Sequence, residues 1–179
     1  MSALELAQWI QSTGWASYLR MSAYIYPSIL ASHLTGIALF AGAVLVTDLR
    51  LLGVIMRNQP VSDVVNQLRW PKRIGFLIVA MCGFLLASSK AEEYYYNTFF
   101  RIKLTLLVLV AVHALVFRGS VYNNAAALDQ ARRMPGKAKL AAALSLLLWI
   151  SIACVGRGIG YIEPPLDKLH AALTRMTAR

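Results

Sequence analysis

The chain of 179 residues is 58% hydrophobic, has a mean hydropathy of +0.56 and carries a formal net charge of +10. Globular chains are about 45–50% apolar, so the excess excludes a domain dissolved wholly in water, and the length allows one domain. The charge does not point to nucleic acid, because the cations flank long apolar runs, where anionic lipid headgroups attract them.

The N-terminal segment shows no basic region followed by an apolar core, so no cleavable signal peptide is expected. Ser2 with Glu5 is a capping-box pattern. Leu6, Trp9 and Ile10 give the short helix it opens an apolar face. Trp9, Trp15, Tyr18, Tyr24 and Tyr26 suit the headgroup boundary, where amphipathic rings accumulate.

Met21 to Thr47 is the first apolar run, about 27 residues or roughly 40 Å of helix at ~1.5 Å per residue. It carries no charge, and it exceeds the ~30 Å hydrocarbon core. Pro27 sits in its first turns, where proline is tolerated. The second run, Ile74 to Ser89, is near the lower limit for a span, and Tyr94, Tyr95 and Tyr96 follow it as an aromatic girdle. Leu104 to Phe117 is too short alone. It spans only if Phe99 and Phe100 join it while Arg101 and Lys103 snorkel to the headgroups. Leu140 to Gly156 is the fourth run, and Pro164 and Pro165 stop its helix. Leu166, Leu169, Leu173 and Met176 then recur at helical spacing opposite Lys168, Arg175 and Arg179, which reads as a surface amphipathic helix over 165–178. His170 belongs to it as an exposed polar residue.

The pattern predicts an all-α fold: a four-helix transmembrane up-down bundle with short interfacial helices at both termini, in a single domain. Its spans are placed at about 21–50, 70–89, 99–118 and 138–157. Small residues should mark helix contacts, because lipid gives little hydrophobic drive for association. Ser32, Gly36 and Ala43, then Gly75 and Gly83, then Ala141 and Ser145 are the candidates. The loop from Asp48 to Arg73 holds Arg50, Arg57, Arg69, Lys72 and Arg73, and the loop from Arg118 to Lys139 holds Arg118, Arg132, Arg133, Lys137 and Lys139. The positive-inside rule puts both in the cytoplasm and both termini outside. A bacterial inner membrane is the expected location, and the bilayer the first partner.

Chemistry has few candidates. His33 and His113 are the only imidazoles within the runs, on helices expected to be parallel and at similar depth. Two such imidazoles can ligate a b-type haem, with Gly36 letting a flat macrocycle approach the backbone. A buried histidine also serves simply as a hydrogen-bonded packing residue, and Ser32, Thr35 and Thr105 are available to it. Zinc is disfavoured, since two histidines supply half a tetrahedral site and no acid lies inside the runs. Arg101, Lys103 and Arg157 sit where spans meet water on the outer side. Like Asp48 and Arg50, which close the first span, they serve in headgroup anchoring and charge pairing between helix ends, or else these three converge on an anion or a quinone head. Cys82 and Cys154 read as small apolar packers. No catalytic residue is assigned, because no Ser-His-Asp set is placed together.

Tyr26-Pro27 through His33-Leu34-Thr35-Gly36, and Asp48-Leu49-Arg50-Leu51-Leu52-Gly53, resemble a family of uncharacterised bacterial four-helix membrane proteins. So do Tyr95-Tyr96-Asn97-Thr98-Phe99-Phe100-Arg101-Ile102-Lys103, Ala114-Leu115-Val116-Phe117 and Gly156-Arg157 before Tyr161. The resemblance covers roughly residues 5–162 and implies a domain of unknown function. His33 falls on the family's histidine. At the place of His113 the family more often has asparagine, with a histidine near Arg118, and Tyr96 stands where histidine is frequent. Two functions are therefore carried forward. One is a non-enzymatic multi-pass protein that partners or anchors membrane or periplasmic subunits. The other is an electron-transfer subunit that binds haem b or quinone. A small transporter is a third and would need oligomers to line a path.

Overall fold

The computed structural model describes residues 2–123, 125–131 and 134–162. The helix expected over 165–178, with His170, and the basic pair Arg132 and Arg133 lie outside the described residues. Along the chain stand α1 (Ala3–Ser12), α2 (Gly14–Met21), α3 (Ile25–Leu52), α4 (Val61–Gln67) and α5 (Arg69–Ser89). There follow α6 (Ala91–Tyr96), α7 (Thr98–Phe117), a π-helical turn (Arg118–Tyr122), α8 (Ala125–Asp129) and α9 (Gly136–Ile159). Among the described residues all regular structure is helical, and α3, α5, α7 with its π-turn, and α9 are long and apolar enough to cross a membrane.

Local chemistry sets the boundaries. The Ser2 hydroxyl accepts from the Glu5 N–H at 3.2 Å, and the Glu5 carboxylate accepts from the Ser2 N–H at 3.0 Å, closing the capping box of α1. Ser22 breaks the chain between α2 and α3, its hydroxyl accepting from the Ile25 N–H at 3.2 Å. The first span therefore opens at Ile25, later than the apolar run suggested. Asn97 caps α7 by accepting from the Phe100 N–H at 3.1 Å, and its amide donates to the Ile162 carbonyl at 2.9 Å. The third span thus recruits Phe99 and Phe100, and the π-turn carries it on to Tyr122. Gly53 ends α3 at φ 75°, where glycine carries no Cβ penalty, and its N–H bonds back to Arg50.

The spans pack as a row, α5 on α3, α3 on α9 and α9 on α7, while α5 and α7 make no extensive contact with each other. Two glycines allow the close α3–α5 approach. A Cβ at Gly75 would stand 2.8 Å from the Phe40 backbone nitrogen, and one at Gly36 would stand 2.7 Å from Ile78 Cγ2. Phe40 fills the middle of the row, edge-on to Trp149 at 5.1 Å and tilted against Phe76 at 5.8 Å. Ala43, Ala141 and Ser145 are buried as small-residue contacts, but Ser32 is exposed.

The densest core is not in the middle of the row. Leu51, Val61, Phe117, Val121, Ala125, Leu128, Ala138, Ala141 and Ala142 cluster at the end that carries the basic loops. Those loops fold into a helical cap. Asp129 of α8 accepts from the Val61 and Ser62 N–H groups and so caps α4. At the opposite end α1 lies on α6, with Gln8 donating to Glu92 at 2.9 Å and the Glu92 N–H donating to Gln11 at 2.9 Å. Trp15 of α2 stacks on Phe84 at 6.2 Å. Of the tyrosine girdle, Tyr95 meets Tyr96 edge-on, and Tyr94 stacks on Phe100 at 4.8 Å. Burial, reinforced by Tyr26 and Glu93, pushes the Tyr94 phenol up to about 12.

Candidate functional site

Polar side chains enter the row at two levels. At the cap end Asp48, in the last turns of α3, is 1% exposed. Its carboxylate faces Ser145 of α9 and the ammonium of Lys72 in the first turn of α5. Tyr122 comes in from the π-turn to the same Ser145 and the same carboxylate. A π-turn re-aims the side chains that follow it and recurs at functional positions, and here it brings a phenol inward at the end of a span. Asp48 Oδ2 itself accepts no hydrogen bond. Thr47 beside it is also buried and donates to the Ala43 carbonyl at 2.9 Å. The cluster joins all four spans and contains one carboxylate and one ammonium, so its charges are balanced locally.

The second level is near the α1–α2 end. His33, in the first third of α3, lies in the hollow left by Gly83: a Cβ there would stand 3.0 Å from His33 Cε1. The Val79 carbonyl is within reach of its ring N–H, while Nδ1 is buried without a partner. Lys103 of α7 is half-buried, with its ammonium turned inward: Nζ would be 3.9 Å from a Cβ at Gly156 on α9. It is close enough to act on His33 electrostatically. Four spans thus contribute to this level, two through glycine hollows and two through nitrogen-bearing side chains.

The other expected site residues go elsewhere. His113 Nε2 meets the Ala141 carbonyl of α9 at 2.9 Å, and its ring packs against Phe117 at 4.9 Å and Tyr122 at 6.4 Å. It belongs to the cap-end level. Counted from the starts of α3 and α7, the two histidines differ in depth by roughly 10 Å at ~1.5 Å per residue, and they face different spans. Bis-histidine ligation needs one free nitrogen from each ring aimed at a single iron. One ring is committed to a carbonyl, the other fills a glycine hollow on α5, and Ile78 and Val79 occupy the space at Gly36. His33, His113 and Gly36 do not fit one macrocycle. Arg157 is also not part of a convergent trio: it donates to the Tyr161 hydroxyl at 2.9 Å and lies over that ring. Arg101 is exposed. Only Lys103 of the three turns into the row.

Asp48 stands among the span-end charges expected to anchor in headgroups or to pair between helix ends, and it takes the second role, against Lys72 at the start of α5; its inward burial with Ser145 and Tyr122 is what sequence reasoning missed. Its position was legible. Gly36, Ala43, Thr47 and Leu51 recur at helical spacing and are all buried, and Asp48 adjoins that face.

Four apolar helices in up-down order, closed at one end by a helical cap, define an all-α protein built to cross a membrane several times. Within that class the chain belongs to the family of unknown function DUF6644, whose profile matches residues 8–162. No curated protein and no solved structure matches the chain.

Proposed function

We propose that the chain is a multi-pass subunit of the bacterial inner membrane, with both termini outside, that anchors or partners other membrane or periplasmic subunits. The observation that carries this reading is α7. It is as apolar as α3 and α9, yet its apolar stretch buries no residue within the chain, whereas the other three spans each bury some. Leu115 is 70% exposed, and the small residues Ala111 and Ala114 lie on the same exposed surface. Small side chains let helix backbones approach closely in lipid, where packing rather than the hydrophobic effect drives association. The α7 surface therefore suits a second transmembrane helix as well as it suits lipid.

A photo-crosslinking side chain at Ala111 or Leu115, activated in native membranes, tests the reading. Discrete protein adducts at these positions, with none from Phe76 on α5, are the expected result. Lipid adducts alone at all three would refute it.

A further inference from the structure

An open pocket of about 860 Å³ lies at the cap end, between the close of α3, the loop to α4, α8 and the start of α9. The chain leaves α3 through two left-handed residues, Gly53 at φ 75° and Met56 at φ 50°, and two arginines tie its return to the helix end. Arg50 donates to the Gln59 carbonyl through Nε, at 3.0 Å, and through Nη2, while Arg57 Nε donates to the Gly53 carbonyl. Backbone oxygens thus hold both guanidinium groups at the pocket. Each keeps terminal N–H groups that no acceptor takes among the described residues. Lys139, exposed in the first turn of α9, adds a third cation without a partner among the described residues. The helix dipole opposes a cation there and would favour an anion. Asp129 is the one carboxylate in the lining, and both its oxygens accept from the Val61 and Ser62 N–H groups. Three cations against one committed carboxylate leave excess positive charge around the opening. The inner wall is apolar: Leu128 belongs to the buried cluster of the cap, and Met134 packs against it.

We propose that Arg50, Arg57 and Lys139 form a binding site for a phosphate group, carried by an anionic glycerophospholipid or by a soluble phosphate ester. The planar fork of a guanidinium matches two phosphate oxygens at once, and an ammonium serves as a point charge for a further one. Phosphate presents its oxygens tetrahedrally, toward donors that arrive from the end of α3, the loop and α9. A carboxylate has two oxygens in one plane and matches that spread less well. The pocket is larger than a bare phosphate ion needs, and its apolar wall suits the carbon skeleton that an ester adds. It also sits where α3 ends and α9 begins, the level of the headgroups for spans that cross a bilayer. A lipid phosphate therefore reaches it without leaving the membrane. The site goes beyond the anchoring reading and does not rest on it, because it lies in the cap and the crosslinking surface lies on α7.

The test titrates the delipidated full chain in dodecyl maltoside and reads bound ligand by native mass spectrometry. One arm uses dioleoylphosphatidylglycerol, a second dioleoylglycerol, which lacks the phosphate, and a third glycerol 3-phosphate. Saturable binding of the phosphatidylglycerol or of glycerol 3-phosphate is expected, with dioleoylglycerol bound far more weakly. Displacement of the lipid by glycerol 3-phosphate assigns the site to a soluble ester, and a lipid that stays bound assigns it to the membrane. Lys139→Gln and Arg57→Gln should each weaken binding on the order of tenfold, the loss of one hydrogen bond to a charged group. Lys137→Gln removes the same charge two residues away, outside the pocket lining, and should leave binding unchanged. Arg57 also holds the Gly53 carbonyl. Should Arg57→Gln fail to fold, Lys139→Gln decides the point, since its ammonium holds no such group. Equal losses in Lys137→Gln and Lys139→Gln overturn the proposal, because diffuse charge rather than a site would then be acting. So does equal binding of phosphatidylglycerol and dioleoylglycerol, or no saturable binding in any arm.

Discussion

A buried carboxylate in a spanning helix must be neutralised, and Asp48 shows how this chain does it. Lys72 enters from the first turn of α5, and Ser145 and Tyr122 bring hydroxyls from two other elements. The two charges should therefore be energetically coupled. Asp48→Asn and Lys72→Met are each expected to lower resistance to SDS-induced unfolding, because each leaves its partner buried without compensation. The double variant should lose less than the sum, with a coupling on the order of 1 kcal/mol. Strictly additive losses would show that the pair does not act as a unit. Asp129 is a different case, at the surface of the cap. Burial works against its ionisation. Hydrogen bonds from the Ser62 hydroxyl and the Val61 and Ser62 N–H groups, with the Arg50 charge, outweigh it and hold the carboxyl below its usual range. A carboxyl depressed in the folded state stabilises that state above its unfolded value of about 4. The benefit is lost as pH falls through the lower folded value. Amide exchange at Val61 and Ser62 should thus accelerate, relative to its intrinsic rate, as pH drops through that window. In Asp129→Asn it should be faster at neutral pH and lack that step. Equal protection in both proteins at pH 7 would remove the capping role.

Between elements, the α3–α5 contact is the most extensive among the described residues, and it depends on glycine. Gly75→Val would drive a side chain into the Phe40 backbone, which no rotamer change relieves. Overpacking of this kind costs about 1–3 kcal/mol, so a clear fall in thermal stability in detergent is expected. Gly42 is the matched control. It lies in α3, the partner helix of the same contact, with nothing within 4 Å of an added Cβ, and Gly42→Ala should be neutral or stabilise by about 0.5–1 kcal/mol. A similar response at both positions would mean that close approach is not what Gly75 provides. The same contact explains what the sequence could convey. Charge-free runs located all four spans, because a bilayer penalises charge at every position and periodicity is not needed to see it. Their ends were blurred, because Ser22, Asn97 and the π-turn act through single hydrogen bonds. The cap was invisible, since Val61, Ala125 and Leu128 come from short segments without a sustained apolar period. His33 and His113 were paired by counting from run ends. That count cannot tell which span a ring faces, and Gly83 and Ala141 are what decide it.

At the scale of the whole molecule, the two ends are unlike. One carries the cap, with Arg50, Arg57, Lys137 and Lys139 around a core of nine buried residues. The other carries α1, α2 and α6, where Glu92 and Glu93 partly offset Lys90, Arg101 and Lys103, and Lys90 and Glu93 pair at 3.0 Å. The positive-inside rule acts on basic segments close to span ends, such as those of the cap. That rule is the ground for the proposed orientation, with the cap in the cytoplasm. The proposal gives a labelling pattern, because α3, α5 and α7 lie between the N-terminal helix and the π-turn. In a background with Cys82→Ala and Cys154→Ala, a membrane-impermeant thiol reagent added to intact cells or spheroplasts should modify Ala3→Cys. It should modify Asn123→Cys only after permeabilisation. Modification of both from the same side would mean that one of the three intervening helices does not cross. The inverse pattern would keep the four spans and reverse the orientation, placing the Lys103–His33 level in the inner half of the bilayer instead of the outer.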